Sequence, residues 1–125
     1  MADVTVIRRA DAPVQRFDWG ELHWFANAQI GNSPRMTVGK CIIRPGCQNP
    51  RHHHPNCDEV LHVLAGTISH SVGDDRHLEM TPGDTIAVPA GVVHNARNIG
   101  TVDAVLMVSF SSGVRETRNE QEAPR

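Results

Sequence analysis

From Arg35 onward the chain is interrupted every few residues by glycine, proline or aspartate, and the runs between the breaks are short and rich in valine, isoleucine and threonine. This punctuation restricts the fold more than any other feature. Proline removes a backbone donor and glycine loses the most conformational freedom on ordering, so helices are disfavoured, whereas short branched runs suit strands that reverse at each break. The spacing predicts an all-β domain with strands at 36–44, 49–54, 59–65, 67–72, 77–80, 85–88, 94–98 and 102–111, and no helix beyond a turn or two. Gly73-Asp74-Asp75 is the expected hairpin turn.

A chain of 125 residues has room for one core. Its 12 Lys and Arg against 14 Asp and Glu give a formal charge of -2, which offers no electrostatic reason to hold nucleic acid or an anionic membrane. No apolar run approaches the ~20 residues that cross a bilayer. The first residues lack the basic start and apolar stretch of a secretory signal, so the expected compartment is the cytoplasm. Cys41, Cys47 and Cys57, odd in number and irregular in spacing, are expected as free thiols. With no tyrosine and a single lysine, Lys40, phenol chemistry is excluded and amine chemistry is confined to one side chain.

Phe17, Trp19, Trp24 and Phe25 crowd into the N-terminal segment, apart from the remaining aromatic, Phe110. Residues 1–34 therefore read as an aromatic arm that plugs the barrel, packs on a second subunit or walls a substrate pocket. Residues 35–113 form the β-barrel, and the polar stretch 114–125 is expected to be a frayed tail.

Of the eight histidines, His52, His53, His54 and His62 lie close together. In a strand, alternate side chains share a face, so His52 and His54 point one way and His53 the other. Glu59 enters on the next strand after a turn-like Pro55-Asn56-Cys57-Asp58, and His94 follows Pro89-Ala90-Gly91. Three imidazoles and a carboxylate form a donor set that leaves open positions on a six-coordinate ion. The wider spacing is Gly46, five residues, His52, one, His54, four, Glu59, six, Gly66, and then Gly83, five, Pro89, one, Gly91, two, His94, three, Asn98.

In these two blocks the chain resembles a small single-domain cupin, over residues from about 36 to 111. The resemblance implies a jelly-roll barrel of six to eight strands holding one divalent metal ion (Fe, Mn, Ni or Zn) on His52, His54, Glu59 and His94. It also implies metal-dependent activity on a small molecule with adjacent oxygens. The superfamily includes dioxygenases, isomerases, epimerases, lyases and decarboxylases, and also non-catalytic sensors, so the ligands do not specify the reaction.

The remaining residues divide by alternation. Cys57 is redundant beside Glu59, and His62 belongs with Val60 and Leu64 on the outward face, an apolar surface suited to a homodimer. His70 and His77 flank the hairpin and read as surface residues, while Asn98 reads as a structural tie. Leu61, Val63 and Ala65 should share the inner face with Glu59, joined by Ala87 or Val88, Met107 and Ser109. On the 36–44 strand the inner set is either Met36, Val38, Lys40 and Ile42 or Thr37, Gly39, Cys41 and Ile43. Candidate catalytic or substrate-contacting groups are Lys40, His23 and Arg51. So few proton carriers favour oxygen chemistry over proton transfer.

Overall fold

The computed structural model describes residues 3–120, which form eleven strands and one turn of 3-10 helix at Arg9–Asp11. The strands are β1 (Val14–Phe17), β2 (Gly20–Ala26), β3 (Thr37–Ile43), β4 (His52–His53), β5 (Glu59–Ala65), β6 (Ile68–Val72), β7 (Arg76–Met80), β8 (Thr85–Val88), β9 (His94–Asn98), β10 (Ala104–Phe110) and β11 (Arg118–Asn119). They pair into a six-stranded antiparallel sheet, β1-β2-β3-β10-β5-β8, and a five-stranded one, β11-β4-β9-β6-β7. Among the described residues no helix is long and apolar enough to cross a membrane.

Alternation decides what each strand buries. On β3 the inner set is Thr37, Gly39, Cys41 and Ile43; on β10 it is Ala104, Leu106, Val108 and Phe110. The second set corrects the expectation for Met107 and Ser109, which fall on the opposite parity and face outward. Val88, not Ala87, is buried. Inner residues of both sheets, among them Ile43, Val63, Ile68, Ala96 and Leu106, close the core.

The expected turns hold this frame. The motif glycines Gly46, Gly66, Gly83 and Gly91 all have positive φ. At Gly66 (φ 82°) a Cβ would also meet Ala104 Cα at 2.8 Å, so the β5–β6 turn lies directly on β10. The Gly73-Asp74-Asp75 hairpin joins β6 to β7, with Val72 paired to Arg76.

Both termini depart from expectation. The segment read as an arm is a hairpin of the six-stranded sheet: β1 pairs β2, and β2 pairs β3 with Leu22 opposite Cys41. The tail is ordered as far as it is described, with β11 pairing β4 (Arg118 opposite His53) and Arg51 bonded to Glu120. The rest of that expectation, residues 121–125, lies outside the described residues.

Candidate metal centre

Register places the first two imidazoles side by side, because His52 of β4 is the partner of His94 in β9. His54, two residues on, turns the same way, and the three ring centroids lie 4.5–5.5 Å apart. Glu59 opens β5 in the opposite sheet and reaches across, its Oε1 3.1 Å from His54 Nε2 and 3.3 Å from His94 Nε2. One ligand atom from each of the four residues lies within 4.8 Å of the others, and all four residues are buried. The cluster therefore bridges the two sheets.

Each imidazole is oriented from its far side. His52 Nδ1 lies 2.6 Å from the Pro50 carbonyl, His54 Nδ1 2.9 Å from the Glu116 carbonyl and His94 Nδ1 3.3 Å from His70 Nε2. With Nδ1–H donating in each case, the Nε2 atoms are left to a metal, the arrangement by which outer partners fix a ligand's tautomer. Burial pushes His52 below the usual imidazole range and His94 down to about 3, so both rings are neutral near pH 7. Burial pushes Glu59 up, but the contact with His54 and the surrounding imidazoles outweigh it and hold the carboxylate below its ordinary value. Among the described residues His94 Nε2 is buried with no hydrogen-bond partner. Such an orphan is costly unless something accepts its lone pair, and three nitrogens with one carboxylate oxygen fit a divalent ion.

The cluster opens into a cavity of about 340 Å³. Phe17, Trp19, Leu22 and Trp24 of the N-terminal hairpin wall one side, and Leu61, Leu106, Val108 and Phe110 line another. Of the four aromatics in that segment, Phe17, Trp19 and Trp24 line this cavity and Phe25 does not. Gly39 makes this possible: a Cβ there would sit 2.6 Å from Trp24 Cε3, so the indole lies against bare backbone. Trp24 Nε1 is tied to Gln15 Oε1 at 2.9 Å.

The three candidate catalytic groups are not brought to this cavity. Lys40 is on the outward parity of β3, opposite His23 of β2, whose Nε2 lies 2.8 Å from Glu21 Oε2. Arg51 is a structural clamp, donating to Glu120 Oε2 (3.0 Å), Ser71 Oγ (3.1 Å) and the Gly73 carbonyl (2.7 Å). Cys57 is buried outside the four-residue cluster, and His62 turns away to Thr85 Oγ1 at 2.7 Å. Asn98 is fully buried, its Nδ2 donating to the Ile43 and Val102 carbonyls.

His70 corrects the surface reading. It is 1% exposed, stacks on His94 with centroids 5.2 Å apart and lines the cavity. Its signal was the alternation Ile68, His70, Val72 on β6, which puts His70 on the face of a core isoleucine. Arg115 and Thr117 also line the cavity, and a polar tail gave no periodic signal for them.

Residues 39–110 match the cupin domain family. Germin-like protein 3-8 of Oryza sativa subsp. japonica is 32% identical over 85 residues, 65% of this chain and 38% of that protein. Protein SchB of Streptomyces halstedii is 28% identical over 97 residues, 78% of this chain and 70% of its own length. The chain spans less than half the length of the germin-like relatives it matches. Among solved structures, Lactobacillus farciminis oxalate decarboxylase in a formate complex superposes with a TM-score of 0.86 at 18% identity, over 98% of this chain and 39% of that one. The E162A mutant of Bacillus subtilis oxalate decarboxylase gives 0.83 at 20% identity, over 91% and 31%. At such identities the likeness is one of fold.

Proposed function

This chain belongs to the cupin domain family, and from that premise we propose that it is a metal-dependent enzyme acting on a small oxygenated molecule, with dioxygenase-like chemistry favoured. The observation that carries this reading is the convergence of His52, His54, Glu59 and His94 within 4.8 Å at a cavity of substrate size. His52, His54, Glu59 and His94 would hold Fe, Mn, Ni or Zn there, and the ion would supply a Lewis acid for a substrate with two adjacent oxygens. The chain's own residues orient the three imidazoles, through His70 and the Pro50 and Glu116 carbonyls, and the aromatic wall gives the cavity an apolar side.

The scarcity of proton carriers supports oxygen chemistry. Among the described residues lining the cavity Glu59 is the one carboxylate, and burial pushes the Cys41 thiol up to about 12. We place the enzyme in the cytoplasm as a homodimer, paired through the outer face on which Val60 and Leu64 are exposed.

Elemental analysis of protein purified without chelator or histidine tag, followed by oxygen-electrode assays with β-diketones, flavonols and uronates, tests the reading. Near-stoichiometric Fe, Mn or Ni with substrate-dependent oxygen uptake is expected. Bound metal without uptake would move the activity to an isomerase, epimerase, lyase or decarboxylase, or to a non-catalytic sensor. No bound metal would overturn the central assignment.

A further inference from the structure

The cavity holds a cation to which the metal centre gives no task. Arg115 follows β10 and is half-buried in the cavity lining, where it is the one lysine or arginine among the described residues. Its guanidinium carbon lies 4.6 Å from the centroid of Trp24 and 5.3 Å from that of Phe110. Packed on aromatic rings, a guanidinium keeps its N–H edge for an acceptor. Among the described residues that edge makes one hydrogen bond, Nη1 to Thr117 Oγ1 at 2.8 Å, and no ion pair.

We propose that Arg115 binds the carboxylate of the substrate, so that the pocket selects small 2-hydroxy or 2-oxo acids carrying an apolar or aromatic group. The assignment rests on the metal-centre reading, because the acid's second oxygen is the one turned toward His52, His54, Glu59 and His94. Charge supports it. A divalent ion and a guanidinium set against the single carboxylate of Glu59 leave the cavity cationic, and an organic anion neutralises it. A planar fork of donors also matches a carboxylate better than any neutral oxygen.

Arg115 is held in place before substrate arrives. Asn56 grips the segment from both sides, donating from Nδ2 to the Val114 carbonyl (2.6 Å) and accepting at Oδ1 from the Glu116 backbone N–H (3.0 Å). The Glu116 carbonyl and the Thr117 hydroxyl sit 2.9 and 3.2 Å from His54 Nδ1, so the strip that presents Arg115 also orients a metal ligand. The opposite wall is apolar and aromatic, which suits the remainder of such an acid.

The test uses the full chain loaded with Mn(II), with metal content measured on every sample. It is titrated with two matched pairs, lactate against lactamide and mandelate against mandelamide. The readout is the fluorescence of Trp19 and Trp24, the chain's two tryptophans, both in the cavity wall. Wild type is expected to bind at least one acid about tenfold or more tighter than its amide. Arg115→Gln should bring that acid down to the affinity of the amide, with metal content and amide affinity unchanged, and Arg115→Lys should fall between. Full metal occupancy with no preference for either acid, or Arg115→Gln binding the acid as wild type does, overturns the Arg115 assignment and leaves the metal centre standing. Failure of wild type to take up metal overturns the metal-centre reading and this one with it.

Discussion

The strongest demand on any single side chain falls on His94, whose buried Nε2 has no hydrogen-bond partner among the described residues and whose Nδ1 rests on the equally buried His70. Removing a ligand weakens metal binding more than it disturbs a core built elsewhere. His52→Ala or His94→Ala is therefore expected to lower metal content at least about tenfold with the far-ultraviolet spectrum retained. Cys57→Ser should leave metal content unchanged, and full occupancy in either histidine variant would refute the ligand set. Cys41 makes a second demand at this scale. Burial, reinforced by the charge of Glu59, raises its thiol from 9.0 to about 12. The thiol thus keeps its proton in the folded state after the unfolded chain has lost it. Its contribution to stability is complete below pH about 9 and is lost as the pH rises toward 12. Mass mapping after iodoacetamide treatment at pH 8 should find the half-buried Cys47 modified and Cys41 intact until the protein unfolds.

At the level of elements, a period of two settles most of the geometry. Glu59, Leu61 and Val63 face inward from β5, as the sequence predicts, while the inner set of β10 is set by pairing and not by composition. Phe110 lies opposite Thr37, and register carries that parity along the strand to Leu106 opposite Cys41. Met107 and Ser109 are as plausible inside on composition alone, and nothing local excludes them. Asn98 binds elements together: its side chain joins the end of β3 to the loop before β10 and accepts from the Gly100 N–H at 2.9 Å. Asn98→Ala would strand the buried Ile43 carbonyl, loosen the part-buried Val102 carbonyl and is expected to cost about 2 kcal/mol or more, read as a lower urea midpoint at unchanged slope. A loss under about 0.5 kcal/mol would deny it that role.

For the whole molecule, the centre exists only where two sheets meet. One contributes three imidazoles and the other contributes Glu59, and the cavity beyond them is lined from the β1–β2 hairpin and by Arg115, Thr117 and Asn119. Outside the barrel Val60 and Leu64 remain exposed on β5. If a second copy covers them, sedimentation at micromolar concentration should give twice the monomer mass, and Leu64→Glu should reduce it to one copy. A wild-type monomer would remove the homodimer.

Much was already legible in the amino-acid order. Glycine and proline spacing fixed most turns, so strands expected at 59–65, 85–88 and 94–98 match β5, β8 and β9. The pairing of His52 with His54 was readable because residues two apart on a strand share a face, whereas Glu59 and His94 joined them through the resemblance to the cupin motifs, and the structure brings all four within 4.8 Å. Asn98 was legible for a similar local reason, since an amide beside a turn has backbone to bind. Tertiary structure alone decided the rest. Which face of 36–44 turns inward depends on the register of β3 with β2 and β10, and that register sends Lys40 out and Cys41 in. Whether an aromatic segment stands apart or joins the sheet depends on an edge pairing, and whether a polar strip such as 114–120 is held depends on Asn56 and Arg51, distant in sequence. Arg115 gains its importance in the same way. Its neighbours Trp24 and Phe110 are brought to it by sheet packing, and no pattern in the residues around it foretells that contact.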